Sequence, residues 1–240
     1  MKQTHLKQFL ISFILLFPLY SSAQMFSVGS GDGQNRSNIF APFLMGGVEF
    51  IDFQFQGDPE FDPLLAFNGM AARASFESGG FNLGLSLGNN FTGLTDNNYF
   101  ALNLNFINPF YFVRKPNFGL GVPIQLSSKL TSVGSDLSSN EFSQTNLSAG
   151  AGGIARYFVP EKFSITAQFI PSFGFSTASG GFIGGNVFSL NGKARIVFYN
   201  VIFNKNISLG YDYTFDSYNI DGEEFDYDLN GHTLTLGISL

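Results

Sequence analysis

Between Phe81 and Gly88 the chain alternates without a fault: Phe81, Leu83, Leu85 and Leu87 take the odd positions, and Asn82, Gly84, Ser86 and Gly88 the even ones. A period of two predicts a β-strand with one apolar and one polar face. The same alternation returns in Phe100, Leu102, Leu104 and Phe106 against Ala101, Asn103 and Asn105. It returns again in Phe118, Leu120, Val122, Ile124 and Leu126 against Gly119, Gly121, Pro123, Gln125 and Ser127. Followed from residue 39 to 240, the pattern predicts ten antiparallel strands. Connections after the first, third, fifth, seventh and ninth are long, and those after the second, fourth, sixth and eighth are mostly shorter. The first strand changes phase between Phe50 and Phe53, which predicts a β-bulge keeping Glu49, Asp52 and Gln54 on one face. Pro123 and Pro171 fall inside predicted strands and call for a bulge or a break there.

The polar faces carry little charge. From Ser78 to Val113 the only charged residue is Asp96, and charged residues make up 12% of the chain, about half the usual share of roughly 25%. A soluble sheet covers its wet face with Lys, Glu, Arg and Asp. These strands instead predict a closed barrel, with apolar faces toward lipid and polar faces toward a lumen. The predicted fold class is therefore all-β, a transmembrane antiparallel up-and-down β-barrel of about ten strands, with eight or twelve as alternatives.

The N-terminus reads as an export signal: Lys2 and Lys7 precede an apolar run from Phe9 to Phe17, and Ser21, Ser22 and Ala23 form a small-residue cleavage site. The apolar run is shorter than the ~20 residues of a membrane helix. The expected organisation is a signal peptide over 1–23, a flexible Gly/Ser/Asn tail over 24–38 and the barrel over 39–240. Once Lys2 and Lys7 are gone, ten Lys and Arg face eighteen Asp and Glu, a net charge of −8. Such an acidic chain is a poor partner for nucleic acid. The absence of Cys removes disulfides and thiolate chemistry. No cofactor is implied.

Charge also sorts with topology. Twelve of the eighteen acids fall in the predicted long connections, Asp96 and Asp216 among them, with no Lys or Arg beside them. Arg114, Lys115, Lys162 and Lys205 fall in the shorter ones. Aromatics gather near the strand ends, with Tyr99, Tyr213 and Phe215 toward the long loops and Tyr111, Phe158 and Tyr199 toward the short turns. An even strand number, short turns, long loops and aromatic girdles are barrel features. On these features the chain resembles the small outer-membrane β-barrel proteins of Gram-negative bacteria. The resemblance spans the signal segment and all ten strands and is one of architecture. It implies an outer-membrane location and outer-membrane lipid as the surrounding partner.

Candidate chemistry is sparse. Glu49, Asp52 and Asp212 are expected in the lumen with Arg73, Lys129, Arg156, Lys193 and Arg195, since ions inside a barrel must pair. They predict an interior plug of salt bridges or, because five bases outnumber three acids, an anion-preferring constriction. Asp221, Glu223, Glu224, Asp226 and Asp228 crowd the loop predicted over 216–230 and form a candidate cation-binding loop, but without EF-hand spacing. A solvated acidic loop is the simpler reading, and no metal is expected. His232 is the one His after residue 23. It could meet Asp228 or Asp212, but no nucleophile is marked, so an enzyme is not expected. The favoured role is structural, a plugged barrel displaying acidic loops. The alternatives are a narrow channel for small or apolar solutes and a secreted soluble barrel with an apolar ligand inside.

Overall fold

The computed structural model describes residues 41–57, 65–94, 96–137, 141–178, 183–220 and 226–240. The signal segment and the tail expected before residue 39 lie outside them. Eleven strands are formed: β1 Phe43–Phe55, β2 Phe67–Ser78, β3 Phe81–Gly88, β4 Asn97–Lys115, β5 Phe118–Ser135, β6 Glu141–Ala151, β7 Gly153–Val159, β8 Phe163–Ala178, β9 Ile183–Ile202, β10 Lys205–Ile220 and β11 Tyr227–Ser239. Each pairs antiparallel with its neighbours, and β1 pairs with β11, so one sheet closes on itself.

The barrel has ten staves, because β6 and β7 are one stave interrupted at Gly152. Both pair with β5 and β8, and the register is the same on either side: Ile124 faces Ala151 and Gly121 faces Ile154. The interruption falls beside the two prolines singled out above. Gly152 donates its backbone N–H to Pro123 O at 3.2 Å, and the register sets residue 151 against Pro171. Pro123 itself lies opposite Pro109 of β4. The missing ladder donors are thus gathered at one place in the wall: β5 and β8 run unbroken through their prolines, and the interruption falls in the stave between them.

The first strand holds no bulge. It pairs continuously with β11 from Phe43 to Phe55 and with β2 from Phe43 to Phe53. Glu49, Ile51 and Phe53 therefore share the inward face, and Asp52 and Gln54 point outward. The apparent phase change arises because the inward face of this strand becomes apolar toward its end. Elsewhere the alternation is as read: Asn82, Ser86, Gln125 and Ser127 are buried inside, and Leu83, Leu87, Val122 and Leu126 are exposed outside. Both ends of the barrel chain, Phe43 and Ser239, are paired with each other and lie with the short turns. The longer connections, after β1, β3, β5, β8 and β10, share the opposite end.

Candidate functional site

The barrel interior is filled in layers. Nearest the loops, inward residues from most strands form an apolar cluster of Ile51, Phe53, Leu65, Phe67, Leu94, Tyr99, Val133, Phe142, Val187, Tyr218, Ile220, Tyr227 and Leu229. Phe53 has no exposed surface. Its ring stacks on Tyr227 at 4.8 Å and meets Phe142 edge-on at 5.0 Å and Phe67 at 5.9 Å. Alternation dictates the arrangement, since each ring sits on the inward parity of its strand near the loop end. Tyr99, expected in the outer girdle, is buried inside because it shares parity with Ala101 and Asn103.

Below the rings lies a first pair of ion contacts. Lys129 Nζ donates to Asp216 Oδ2 at 2.6 Å. Arg73 Nη1 lies 3.7 Å from Glu49 Oε2, and Ser86 joins them, accepting from Arg73 Nη1 at 2.8 Å and donating to the Glu49 carboxylate. Nearer the turns is a second group that ties opposite walls. Glu77 of β2 accepts from Lys193 Nζ at 2.7 Å and from Arg195 Nη2 at 2.6 Å, and the same Nη2 reaches Asp212 Oδ2 at 2.8 Å. All seven partners of these contacts besides Ser86 and Asp212 come from β1, β2, β5, β9 and β10, and their side chains are at most 21% exposed. Each ion there is held by an opposite charge, as burial demands.

Between the two groups a polar cavity gives about 70 Å³ to the centres of water-sized molecules. That exceeds the roughly 10–15 Å³ a cavity needs to admit a water. Asn82 Oδ1, Asn103 Oδ1, Asp212 Oδ1 and Thr214 Oγ1 line it without a protein partner, so water is their natural complement.

Of the eight residues expected in the lumen network, Glu49, Arg73, Lys129, Lys193, Arg195 and Asp212 are in these contacts. Two are not. Asp52 points outward, where Gln54 Nε2 donates to its Oδ2 at 2.7 Å. Arg156 sits near the turn end, its guanidinium 5.8 Å from the centre of the Phe158 ring, apart from the buried pairs. Two residues are added. The Ser78-Gly79-Gly80 run after Glu77 reads as a turn and Asp216 opens an acidic stretch, but β2 and β10 run through both residues. Their parity with Arg73 and with Asp212 was the signal that places both inside. With Asp52 and Arg156 out and Glu77 and Asp216 in, four acids meet four bases, so the excess of base behind an anion-preferring constriction is absent here.

The candidate cation loop is only partly described. Asp221, Glu223 and Glu224 lie outside the described residues. Asp226 is occupied as a loop clasp, accepting from Ile220 N–H at 2.8 Å and from Asn219 Nδ2 at 3.2 Å. Asp228 belongs to β11 and sits opposite Gln54 and Ser217. Among the described residues no group of three His, Cys, Asp or Glu could hold a metal ion. His232 faces outward between Phe50 and Tyr213, and its Nδ1 is 2.7 Å from Tyr211 Oη. Asp212 lies on the other side of the sheet, so the two cannot act together.

No protein-family model and no curated protein matches this sequence. Among solved structures the chain is similar to outer-membrane β-barrels. The outer membrane protease OmpT from Escherichia coli matches at 12% identity over 87% of this chain and 99% of that one, with a TM-score of 0.42. Neisserial surface protein A matches at 12% identity over 82% and 94%, with a TM-score of 0.32. The beta domain of the Bordetella autotransporter BrkA matches at 9% over 83% and 98%, with a TM-score of 0.36. The likeness is one of architecture, and no role is taken from it.

Proposed function

We propose that this chain is a bacterial outer-membrane barrel with a closed interior, which serves as a scaffold for its loops and conducts no solute. The observation that carries this reading is the double filling of the lumen, aromatic rings toward the loops and paired ions below them. A ten-stave barrel is narrow beside the 16–18 strands of water-filled porins, and here its bore is occupied by side chains.

The outward face supports the membrane half of the reading. From Phe118 to Leu130 of β5 the outward residues Phe118, Leu120, Val122, Ile124, Leu126 and Leu130 are joined only by Ser128. That stretch climbs roughly 40 Å along the strand and, at a tilt of about 40°, roughly 30 Å along the axis. This suits an apolar band of about 25 Å. Among the described residues the outward acids Asp52, Glu141 and Asp228 all sit near the loop ends of their strands. A soluble barrel would need the reverse arrangement, with charge outside and Phe inside at every level.

In this reading the turns face the periplasm and the loops the exterior. Two measurements test it. Folded protein from an outer-membrane fraction should run as a compact band on an SDS gel and shift on boiling. Purified in detergent and added to a planar bilayer, it should insert without single-channel steps. Regular conductance steps would overturn the closed scaffold in favour of the narrow channel, and a soluble, unshifted protein would overturn both.

A further inference from the structure

We propose that the turn end of the barrel carries a phosphate-binding site formed by Arg114 and Arg156 on either side of Gly119. Its starting point is an irregularity in β4. Tyr111 pairs with Gly121 and Val113 with Leu120, so Phe112 is an extra residue and the strand bulges. Without the bulge Arg114 would have the parity of Phe110 and Phe112, which are 55% and 71% exposed on the outer face. With it, Arg114 lies opposite Gly119, which on its other side lies opposite Arg156. Residues directly opposite share a face of the sheet. The two arginines therefore stand in one row on three adjacent staves, about 10 Å apart at the backbone, with the Tyr111 ring lying over Gly119 between them.

The second observation is their lack of acidic partners. Arg73, Lys129, Lys193 and Arg195 each have a carboxylate within 4 Å. Arg114 and Arg156 have none among the described residues. Arg114 uses only Nε, donating to Tyr111 O at 3.1 Å, and Arg156 lies over Phe158. Arg114 and Arg156 both line an open hollow of about 240 Å³, whose walls also include Tyr111 and Phe158. Two guanidinium forks at one hollow suit a tetrahedral oxyanion, whose oxygens accept paired N–H bonds. A phosphate group fills that description. It can come from free phosphate or from a phospholipid headgroup, since the exposed Phe110 and Phe112 flank the site on the outer face. The free-phosphate source does not depend on the proposed function.

The test uses the full folded chain in zwitterionic detergent. Inorganic phosphate is titrated calorimetrically, and in parallel the protein is placed in phosphatidylcholine nanodiscs with and without phosphatidylglycerol and its lipid retention measured. Saturable phosphate binding that falls at least roughly tenfold in R156Q, and again in R114Q/R156Q, supports the site with free phosphate sufficient. Retention of phosphatidylglycerol that is lost in the same variants, without a phosphate response, assigns it to a headgroup. R114Q, at the exposed turn end, is the second variant should R156Q fold poorly, and K162Q in the next turn should leave binding unchanged. No response to either probe, or a response equal in R114Q and the unaltered chain, overturns the proposal.

Discussion

Toward the loops the lumen is closed by Phe53, Phe67, Phe142, Tyr218 and Tyr227 packed ring against ring. Toward the turns it is crossed by Glu77, Lys193, Arg195 and Asp212. Both regions fill the same interior, but they hold together differently. Ring packing is non-directional, and neighbours relax partly into a space left by one missing ring. The ion cluster is directional, and removing one member strands the others in a poorly solvated interior. The loop half should thus lose stability in proportion to the volume removed. The turn half should respond to which charge is removed and be nearly indifferent when charges leave in pairs.

The largest effect is expected at the centre of the rings. Phe53→Ala should cost about 4 kcal/mol, as for a fully buried Phe, read as a lower urea midpoint for the folded protein in detergent. Phe53→Leu, which keeps most of the volume, should cost about 1 kcal/mol. Equal losses in the two variants would break the volume argument. Next comes Glu77→Ala, expected to cost about 3 kcal/mol because Arg195 is left with Asp212 alone and Lys193 loses its carboxylate partner. Its partial exposure, 18% of the side chain, keeps the figure at the low end. Glu77→Ala behaving like a surface change would mean that the cluster is solvated and the two halves are alike.

A single charge pair sharpens the same comparison. Lys129→Met alone leaves Asp216 buried without its 2.6 Å partner and should cost about 3 kcal/mol. The pair Lys129→Met with Asp216→Leu should fall within about 1 kcal/mol of the unaltered chain, because a buried ion pair is readily replaced by apolar volume. The non-additivity, measured as a double-mutant cycle, should be about 2 kcal/mol or more. Additive costs would show that Asp216 has another partner.

Much of this architecture was legible because alternation is a local signal. Phe81 to Gly88 fixes which face of β3 is outside with no knowledge of its neighbours, and the even count of staves follows from repeating that reading. What stayed hidden depended on where strands end. Asp216 reads as loop because it opens an acidic stretch, yet β10 continues to Ile220, carried by Tyr218 and Ile220 on the same inward face. Glu77 was hidden by the Ser78-Gly79-Gly80 run that follows it. The aromatic closure was hidden for another reason. Tyr99 and Phe142 sit at strand ends, where a girdle facing lipid and a plug facing the lumen use the same residue types, and only parity separates them. Arg156 shows the limit from the other side: its parity is inward, but its level in the barrel, beyond the reach of the buried acids, is set by register across several staves.

The smallest effect is expected at His232, and it tests whether the outer face is as indifferent to polarity near the loops as it is selective below them. His232 stands outward in a row with Phe50 and Tyr213, two residues below the outward Asn230 and level with the end of the apolar run on β1. Aromatic side chains with one polar edge suit such a boundary, where the ring meets lipid and the edge meets water. The hydrogen bond with Tyr211 at 2.7 Å occupies Nδ1. His232→Phe keeps the ring and removes both nitrogens, so it leaves Tyr211 Oη to water or a headgroup, and the cost should stay within about 0.5 kcal/mol. Moving the same polar group deeper reverses the result. Leu236→His places an imidazole two outward positions further from the loops, among Leu209 and Leu44, and should slow insertion and lower the urea midpoint clearly more than His232→Phe does. Equal, negligible effects of the two variants would mean that the band around Leu236 is not in lipid.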